Sequence, residues 1–178
     1  MNILENYYKK VIRQDLINKF FYCSLNEIPE LKKIILNFGC QNLAIKNIAA
    51  SLLALELITG KQGIVTKSKR VNILLKIRKG NPVGCMVILK KTSMYCFFLK
   101  LLTQVFPSLK DFRRISVSKN LNCKSFSLTL TDLINFKELG KQFYLFKDLP
   151  PLNIVFITNI NTRKELMFLL NSFKVPLY

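Results

Sequence analysis

The sequence predicts an α+β fold, in which helices pack on one face of an antiparallel or mixed β-sheet. Some segments have the alternating, β-branched pattern of strands, and others have the three-to-four-residue apolar spacing of amphipathic helices. The two kinds of segment do not alternate strictly, which disfavours an all-parallel sheet. No linker, low-complexity tract or internal repeat divides the chain, so we expect one domain over residues 1–178.

The N-terminal segment is predicted to be a helix. Asn2 and Glu5 have the spacing of a capping box, which satisfies free N–H groups at a helix start. Apolar residues then recur every four positions, as on one helix face: Leu4, Tyr8, Ile12, Leu16 and Phe20. Turn residues near Asn26 and Pro29 end this helix.

Residues 31–38 are predicted to be a strand, because the segment is short, β-branched and stops at Gly39. Successive strand side chains point to opposite faces. One face therefore carries Lys33, Ile35 and Asn37, and the other carries Ile34, Leu36 and Phe38.

A second helix is predicted between Asn42, a possible N-cap, and Gly60, a left-handed C-cap. Three strands follow, over residues 64–66, 71–77 and 83–90, with a turn at Gly80-Asn81-Pro82 before the last.

The C-terminal half is predicted to contain two strands and two helices. Thr92 or Ser93 opens a helix with an apolar stripe that ends before Pro107. Residues 126–130 and 152–158 alternate as strands. Thr162 and Glu165 form a second capping-box pattern, which starts a final helix that runs through Phe173 to Pro176. With all helices on one side, the other side of the sheet is open to a ligand.

The charge pattern predicts a polyanionic partner. The chain has 28 Lys and Arg against 10 Asp and Glu, a net charge of +18. No acid interrupts residues 57–110, which contain Lys61, Lys67, Lys69, Arg70, Lys76, Arg78, Lys79, Lys90, Lys91, Lys100 and Lys110. Folded surfaces normally mix both signs, because like charges repel. A strongly basic surface is typical of nucleic-acid binding; the alternative is a solvated face that tolerates its charge.

The residue inventory disfavours catalysis and metal binding. The chain has no histidine, the side chain best suited to proton transfer near neutral pH. Its 5 cysteines never form Cys-x-x-Cys, so they lack zinc-site spacing and are expected to be small buried residues in a reducing compartment. We therefore predict no enzymatic activity, no metal and no cofactor.

Two places in the sequence could contact RNA. The segment Thr66-Lys67-Ser68-Lys69-Arg70 combines hydroxyls and cations, both of which bind phosphate oxygens. Asn37, which shares a strand face with Lys33, could read a base edge or a 2′-hydroxyl. The alternative for Asn37 is a turn residue that precedes Gly39.

A second partner class is an anionic membrane surface, because the chain is basic and its mean hydropathy is positive. The apolar stripes are more typical of a core than of an interfacial helix. No apolar run is long enough to span a bilayer.

A series of motifs in a fixed order covers nearly the whole chain. They are Pro29, Lys33-Ile34, Leu36-Asn37-x-Gly39, Thr59-Gly60, Thr66-Lys67-x-Lys69-Arg70, Lys76-Ile77-Arg78-x-Gly80-x-Pro82-x-Gly84-Cys85, Met94, Phe97-Phe98, Pro107, Asp111-Phe112-Arg113 and Ser116. This series resembles the bacterial-type family of large-subunit ribosomal protein five. The similarity extends from Tyr7-Tyr8-Lys9 to Phe173-x-x-Pro176.

The resemblance implies a structural protein of the large ribosomal subunit, whose sheet and first helix bind 5S rRNA in the central protuberance. It implies that residues 69–78 form a basic loop that faces P-site tRNA. It also implies contacts with large-subunit rRNA, neighbouring large-subunit proteins and a small-subunit head protein. The RNA-binding residues expected from charge and resemblance together are Lys33, Asn37, Thr66, Lys67, Lys69, Arg70, Lys76, Arg78, Lys79, Lys90 and Arg113.

The chain departs from the family pattern in three places. Arg114 replaces a usual glycine, residues 72–75 lack the family's loop glycine, and Lys137 replaces a usual proline. The N-terminus lacks the pattern of a signal or transit peptide, and the composition is that of an AT-rich genome. These features predict a mitochondrial ribosome in the matrix, with the bacterial cytoplasm or another organelle as alternatives.

Overall fold

A computed structural model describes residues 3–40, 45–75, 77–108 and 124–175, and confirms the α+β class. Its helices are α1 (Ile3–Tyr7, Tyr8–Ile12 and Arg13–Lys19), α2 (Ile45–Thr59), α3 (Lys91–Lys100, Leu101–Val105 and Phe106–Ser108), α4 (Lys137–Gly140), α5 (Phe143–Phe146) and α6 (Arg163–Ser172). Its strands are β1 (Leu31–Gly39), β2 (Ile64–Lys67), β3 (Pro82–Lys90), β4 (Ser125–Leu130) and β5 (Leu152–Thr158). Short 3₁₀ turns lie at Leu25–Glu27 and Leu133–Asn135.

The chain forms two compact units, each built from separate segments. Unit 1 comprises Met1–Ile34, Leu89–Leu128 and Val155–Tyr178, and unit 2 comprises Ile35–Ile88 and Thr129–Ile154. The expectation of one domain over residues 1–178 stays a prediction.

The strands form a five-stranded sheet in the order β2-β3-β1-β5-β4. Strands β2 and β3 are antiparallel, with Ile64 opposite Met86 and Thr66 opposite Gly84. The predicted alternation in β1 is confirmed, because Ile34, Leu36 and Phe38 are fully buried while Lys33, Ile35 and Asn37 remain partly exposed.

Helices cover the buried face of the sheet. In unit 2, the small size of Gly63 leaves room for Leu52 of α2 and Val87 of β3, both within 3.5 Å of the position that a Cβ would take. In unit 1, Phe98 of α3 packs edge-on against Phe156 of β5, with ring centroids 5.7 Å apart. The aromatic residues of α3 therefore belong to the core, as their spacing predicts.

Helix α1 is anchored in unit 1 by Tyr8. Its hydroxyl donates a 2.8 Å hydrogen bond to the Pro29 carbonyl, and its ring stacks against Tyr95 and Phe173. Burial raises the pKa of both the Tyr8 and Tyr95 hydroxyls, so both stay neutral.

Helix α6 begins and ends as its sequence dictates. The predicted capping box is confirmed, because the Thr162 hydroxyl accepts from the Glu165 N–H and the Glu165 carboxylate accepts from the Thr162 N–H. At its C-terminus Lys174 adopts a left-handed conformation, with φ +57°, and Val175 N–H bonds back to the Leu170 carbonyl. This 6→1 bond is the signature of a Schellman motif. The first predicted capping box and the Asn42 cap lie outside the described residues.

Two predictions need correction, and two elements were missed. The described residues of the segment 71–77 are not a strand: they form a loop in which Asn72 and Ile77 make an isolated bridge. The short helices α4 and α5 were not predicted. Cys40 and Cys85 are buried as expected, but Cys23 and Cys96 are exposed; Cys123 lies outside the described residues.

The two buried thiols form a small polar cluster with Ser51. The Ser51 hydroxyl donates to the Ile48 carbonyl at 2.9 Å. It lies 3.5 Å from Cys40 Sγ and 3.6 Å from Cys85 Sγ. Burial raises the pKa of the Cys85 thiol, which disfavours the reactive thiolate. Both thiols thus serve as core residues.

Candidate nucleic-acid interface

In unit 2, the face of the sheet opposite the buried side chains keeps partly exposed residues. On β3 the buried side chains are Cys85 and Val87, so Met86 and Ile88 point the other way and remain partly exposed. On β1 the same alternation places Ile35 and Asn37 on this side. We call this side of the sheet the open face.

A glycine brings three strands close together on the open face. Gly84 lies opposite Thr66 in the β2–β3 pair, and its backbone approaches β1 so closely that a Cβ would overlap the Phe38 carbonyl oxygen. The same Cβ would lie 3.2 Å from Thr66 Oγ1. The space next to Gly84 is therefore bordered by Thr66 of β2 on one side. On the other side it is bordered by β1 at Phe38, the residue that follows Asn37.

Asn37 lies inside β1, which continues to Gly39, so its interpretation as a turn residue is wrong. Its side chain is partly exposed and makes no hydrogen bond to any residue that the structure describes. Its amide therefore keeps both its donor and its acceptor for a ligand.

The β2–β3 connection, residues 68–81, is a basic loop whose described residues are held together by backbone hydrogen bonds. Ser68 N–H donates to the Asn81 carbonyl and Gly80 N–H to the Ser68 carbonyl, at 2.8 and 2.9 Å. Nearer the tip, Asn72 and Ile77 exchange two 2.9 Å backbone bonds. Gly80 has φ +90°, a conformation that other residues rarely adopt. The basic loop is thus a hairpin-like extension of the sheet.

The base and sides of this extension carry cations without partners. Lys67, Lys69, Arg70, Arg78 and Lys79 are all exposed, and none is paired with an acid within the described part of the chain. Uncompensated cations on a projecting element create a positive potential that attracts phosphates.

The tip of the basic loop is apolar. Ile73 and Leu74 are 87% and 94% exposed, and Ile77 alone of the loop's apolar side chains is buried. Asn72 Oδ1 accepts from the Leu75 N–H at 3.4 Å, which folds the tip as a tight turn.

The structure brings most of the predicted site residues together. Asn37, Thr66 and Lys67 lie at the loop end of the open face, next to Lys69, Arg70, Arg78 and Lys79 of the basic loop. Lys33 continues the same face of β1, whereas Lys90 is exposed at the far end of β3. Lys76 and Arg113 lie outside the described residues.

Sequence reasoning missed a polar pair on the open face. Thr129 Oγ1 of β4 donates to Asn153 Oδ1 of β5 at 3.0 Å, on the side opposite the buried Leu130 and Leu152. In the sequence, Thr129 and Asn153 are polar residues of two strands with alternating apolar and polar positions. That pattern does not show that the two residues meet, because the pairing of the strands is not known from the sequence.

Other site types are absent from the described residues. No group of three or more Cys, Asp and Glu side chains there is placed to hold a metal ion. No helix in the described ranges is long and apolar enough to cross a membrane.

Comparison with known proteins identifies the family. The model of the C-terminus of the ribosomal protein L5 family matches residues 82–177. The chain is 39% identical to large ribosomal subunit protein uL5m of Reclinomonas americana, over 99% of this chain and 98% of that protein. It is 33% identical to uL5 of Syntrophus aciditrophicus, over 97% of both chains. It is also 33% identical to uL5c of Stigeoclonium helveticum, over 97% of this chain and 96% of that protein.

These matches confirm the resemblance seen in the sequence motifs. They extend over nearly the full length of the relatives, so they cover both compact units. Structural proteins of the large ribosomal subunit are not enzymes, which confirms the prediction of no catalytic activity. The chain belongs to the uL5 family of large ribosomal subunit proteins.

Proposed function

We propose that this chain binds 5S rRNA in the central protuberance of the large ribosomal subunit, through the open face of unit 2 and the basic loop. The observation that carries the proposal is the cluster of five cations near Asn37 and Thr66, none of which is paired with an acid among the described residues. Cations that neutralise phosphates supply affinity, and polar groups on the neighbouring face supply recognition.

The two parts of the site have different chemical roles. Lys67, Lys69 and Arg70 contact phosphates, because their charged groups are exposed and uncompensated. Asn37 and Thr66 offer an amide and a hydroxyl at a fixed spacing on rigid strands, which suits the wide, shallow minor groove of an RNA helix with its 2′-hydroxyls.

The basic loop also suits a second RNA partner. Arg78 and Lys79 are exposed on its returning side, between the bridge at Ile77 and the base of the loop at Gly80. We assign residues 69–78 a further contact with P-site tRNA, and other surfaces to large-subunit rRNA, neighbouring large-subunit proteins and a small-subunit head protein. The ribosome is a mitochondrial one, which the identity to uL5m supports.

The test is the affinity of the purified chain for its cognate 5S rRNA and for an unrelated RNA of equal length, across a salt series. We expect tight binding to 5S rRNA only, because shape-specific contacts add to the electrostatic attraction. Substituting Lys67→Gln and Lys69→Gln together should flatten the dependence of log affinity on log salt by roughly one unit per lost phosphate contact.

The matched control is the pair Lys137→Gln and Lys141→Gln, which removes the same charge from exposed positions on another part of unit 2. Equal, steeply salt-dependent binding to both RNAs would contradict specific 5S rRNA recognition. An unchanged slope in the Lys67 and Lys69 variant would remove the basic loop from the binding surface.

A further inference from the structure

A groove in unit 1 combines aromatic rings with cations. It lies where the C-terminal end of α1 meets α6 and has a volume of about 620 Å³. It is lined by Lys19, Phe20, Arg163, Lys164, Met167, Phe168 and Asn171. This volume falls within the roughly 300–1,000 Å³ of pockets that bind small molecules. The groove belongs to unit 1, whereas the open face and the basic loop belong to unit 2.

The aromatic side chains of the groove are arranged by direct contacts. Phe20 meets Phe168 edge to face, with ring centroids 5.8 Å apart. Both rings stay partly exposed. The next residue, Phe21, is fully exposed at 106% of its reference surface, so nothing in the described chain covers it. A phenyl ring fully exposed to water is unfavourable unless a partner covers it.

Two lysines of the groove, Lys19 and Lys164, have no acidic partner among the described residues. Lys19 Nζ lies 4.3 Å from the Phe168 ring centroid, a cation–π contact. Lys164 is exposed, and neither lysine forms an ion pair with any residue in the described ranges. The nearby acid Glu165 is held at the helix start, where its carboxylate accepts from the Thr162 N–H.

This combination of aromatic rings with lysines that have no acidic partner among the described residues matches the chemistry of one ligand class. Aromatic rings stack on nucleobases, and lysines neutralise the adjacent phosphates, which is how proteins bind unpaired RNA. We propose that the groove, together with the exposed ring of Phe21 next to it in the chain, binds a single-stranded segment of RNA, with a base stacked on Phe21 and its phosphates on Lys19 and Lys164. The inference rests on the proposed function, since it takes the partner of this chain to be RNA.

The chain is well suited to a direct test because it contains no tryptophan. The variant Phe21→Trp introduces a single fluorophore one residue from Phe20, and a base that stacks on it quenches its fluorescence. The control variant Tyr144→Trp places the fluorophore at an exposed site in unit 2, where Tyr144 is 95% exposed. The probe is a twelve-residue oligouridylate, titrated into each full-length variant.

We expect quenching in Phe21→Trp and none in Tyr144→Trp. Adding Lys19→Gln and Lys164→Gln to the Phe21→Trp chain should move the midpoint of quenching to about tenfold higher oligonucleotide concentration, because two phosphate contacts are lost. Adding Lys137→Gln and Lys141→Gln, which removes equal charge elsewhere, should leave the midpoint within about twofold of its original value.

Three outcomes overturn the inference: no quenching at saturating oligonucleotide, equal quenching in both tryptophan variants, or quenching by anionic phospholipid vesicles and not by RNA. Each variant is also assayed for 5S rRNA binding. If Phe21→Trp binds 5S rRNA normally but is not quenched by oligouridylate, the groove inference fails while the proposed function stands. A wild-type chain that does not bind 5S rRNA contradicts the proposed function, and quenching of Phe21→Trp would still support the groove as an RNA site.

Discussion

At the scale of single residues, recognition depends on side chains that the fold leaves without partners. Asn37 lies within strand β1, yet its side-chain amide makes no hydrogen bond within the described residues. By contrast, the Asn159 amide makes three: it accepts from the Glu30 N–H at 2.7 Å and donates to the Asn26 and Ile28 carbonyls. The Asn159 side chain therefore has a structural role in unit 1, and Asn37 is available for a ligand.

The substitution Asn37→Ala tests this availability. We expect the affinity for 5S rRNA to fall by about 1–3 kcal/mol, because a direct contact to RNA is lost. The salt dependence should stay the same, since no charge changes. The thermal stability should also change little, because the side chain has no partner within the described part of the protein.

The control for Asn37→Ala is Gln142→Ala, which truncates an exposed amide outside the open face. Affinity should be unaffected by this control, measured in the same filter-binding titration. If both variants bind as tightly as the original chain, Asn37 does not contact the RNA.

At the scale of elements, the close packing of β1, β2 and β3 shapes the open face. Gly84 has no space for a methyl group, since the Phe38 carbonyl lies where its Cβ would be. The carbonyl belongs to a strand backbone and cannot move aside without disturbing the sheet. Gly84 therefore determines how closely Thr66 approaches β1.

The substitution Gly84→Ala should reduce the free energy of unfolding by about 1–3 kcal/mol, because an added methyl group overpacks the site. Gly39→Ala is the control: Gly39 lies on β1, and its added Cβ would meet nothing within 4 Å. This control should change the free energy by less than about 0.5 kcal/mol. Urea unfolding of both variants measures the difference. If both lose the same free energy of unfolding, the close approach of the β1 backbone to Gly84 does not exclude a larger side chain there.

The elements also show how far the sequence alone predicts this fold. The faces of β1 follow from alternation, because its β-branched and polar residues separate cleanly. The same alternation misleads at residues 71–77: Val71, Ile73 and Leu75 have strand spacing, but the loop supplies no neighbouring strand, and all three side chains are exposed. A periodic pattern predicts a strand only where a partner exists.

The two short helices could not be predicted for a different reason. Lys137–Gly140 and Phe143–Phe146 are about one turn each, too short to establish an apolar repeat. The positions of Asn37 and Thr66 in the site were predicted, but the Thr129–Asn153 pair was not, because it depends on long-range strand pairing.

At the scale of the whole molecule, charge links the fold to its partner. A net charge of +18 on 178 residues gives strong self-repulsion. The cations of the basic loop have no acidic partners among the described residues. The described part of the chain therefore does little to offset their positive charge. On the proposed function, a polyanion bound at the open face would relieve this repulsion, so we expect binding to stabilise the folded chain.

The most direct test of this account is to measure the acetylation rate of each lysine, by mass spectrometry, in the free chain and in its complex with 5S rRNA. We expect Lys67, Lys69 and Lys79 to become protected from the reagent when RNA binds. Lys137, Lys141 and Lys147, which are also exposed but lie outside the open face and the basic loop, should react as in the free chain. Protection of this second set, with the loop lysines still reactive, would contradict the account.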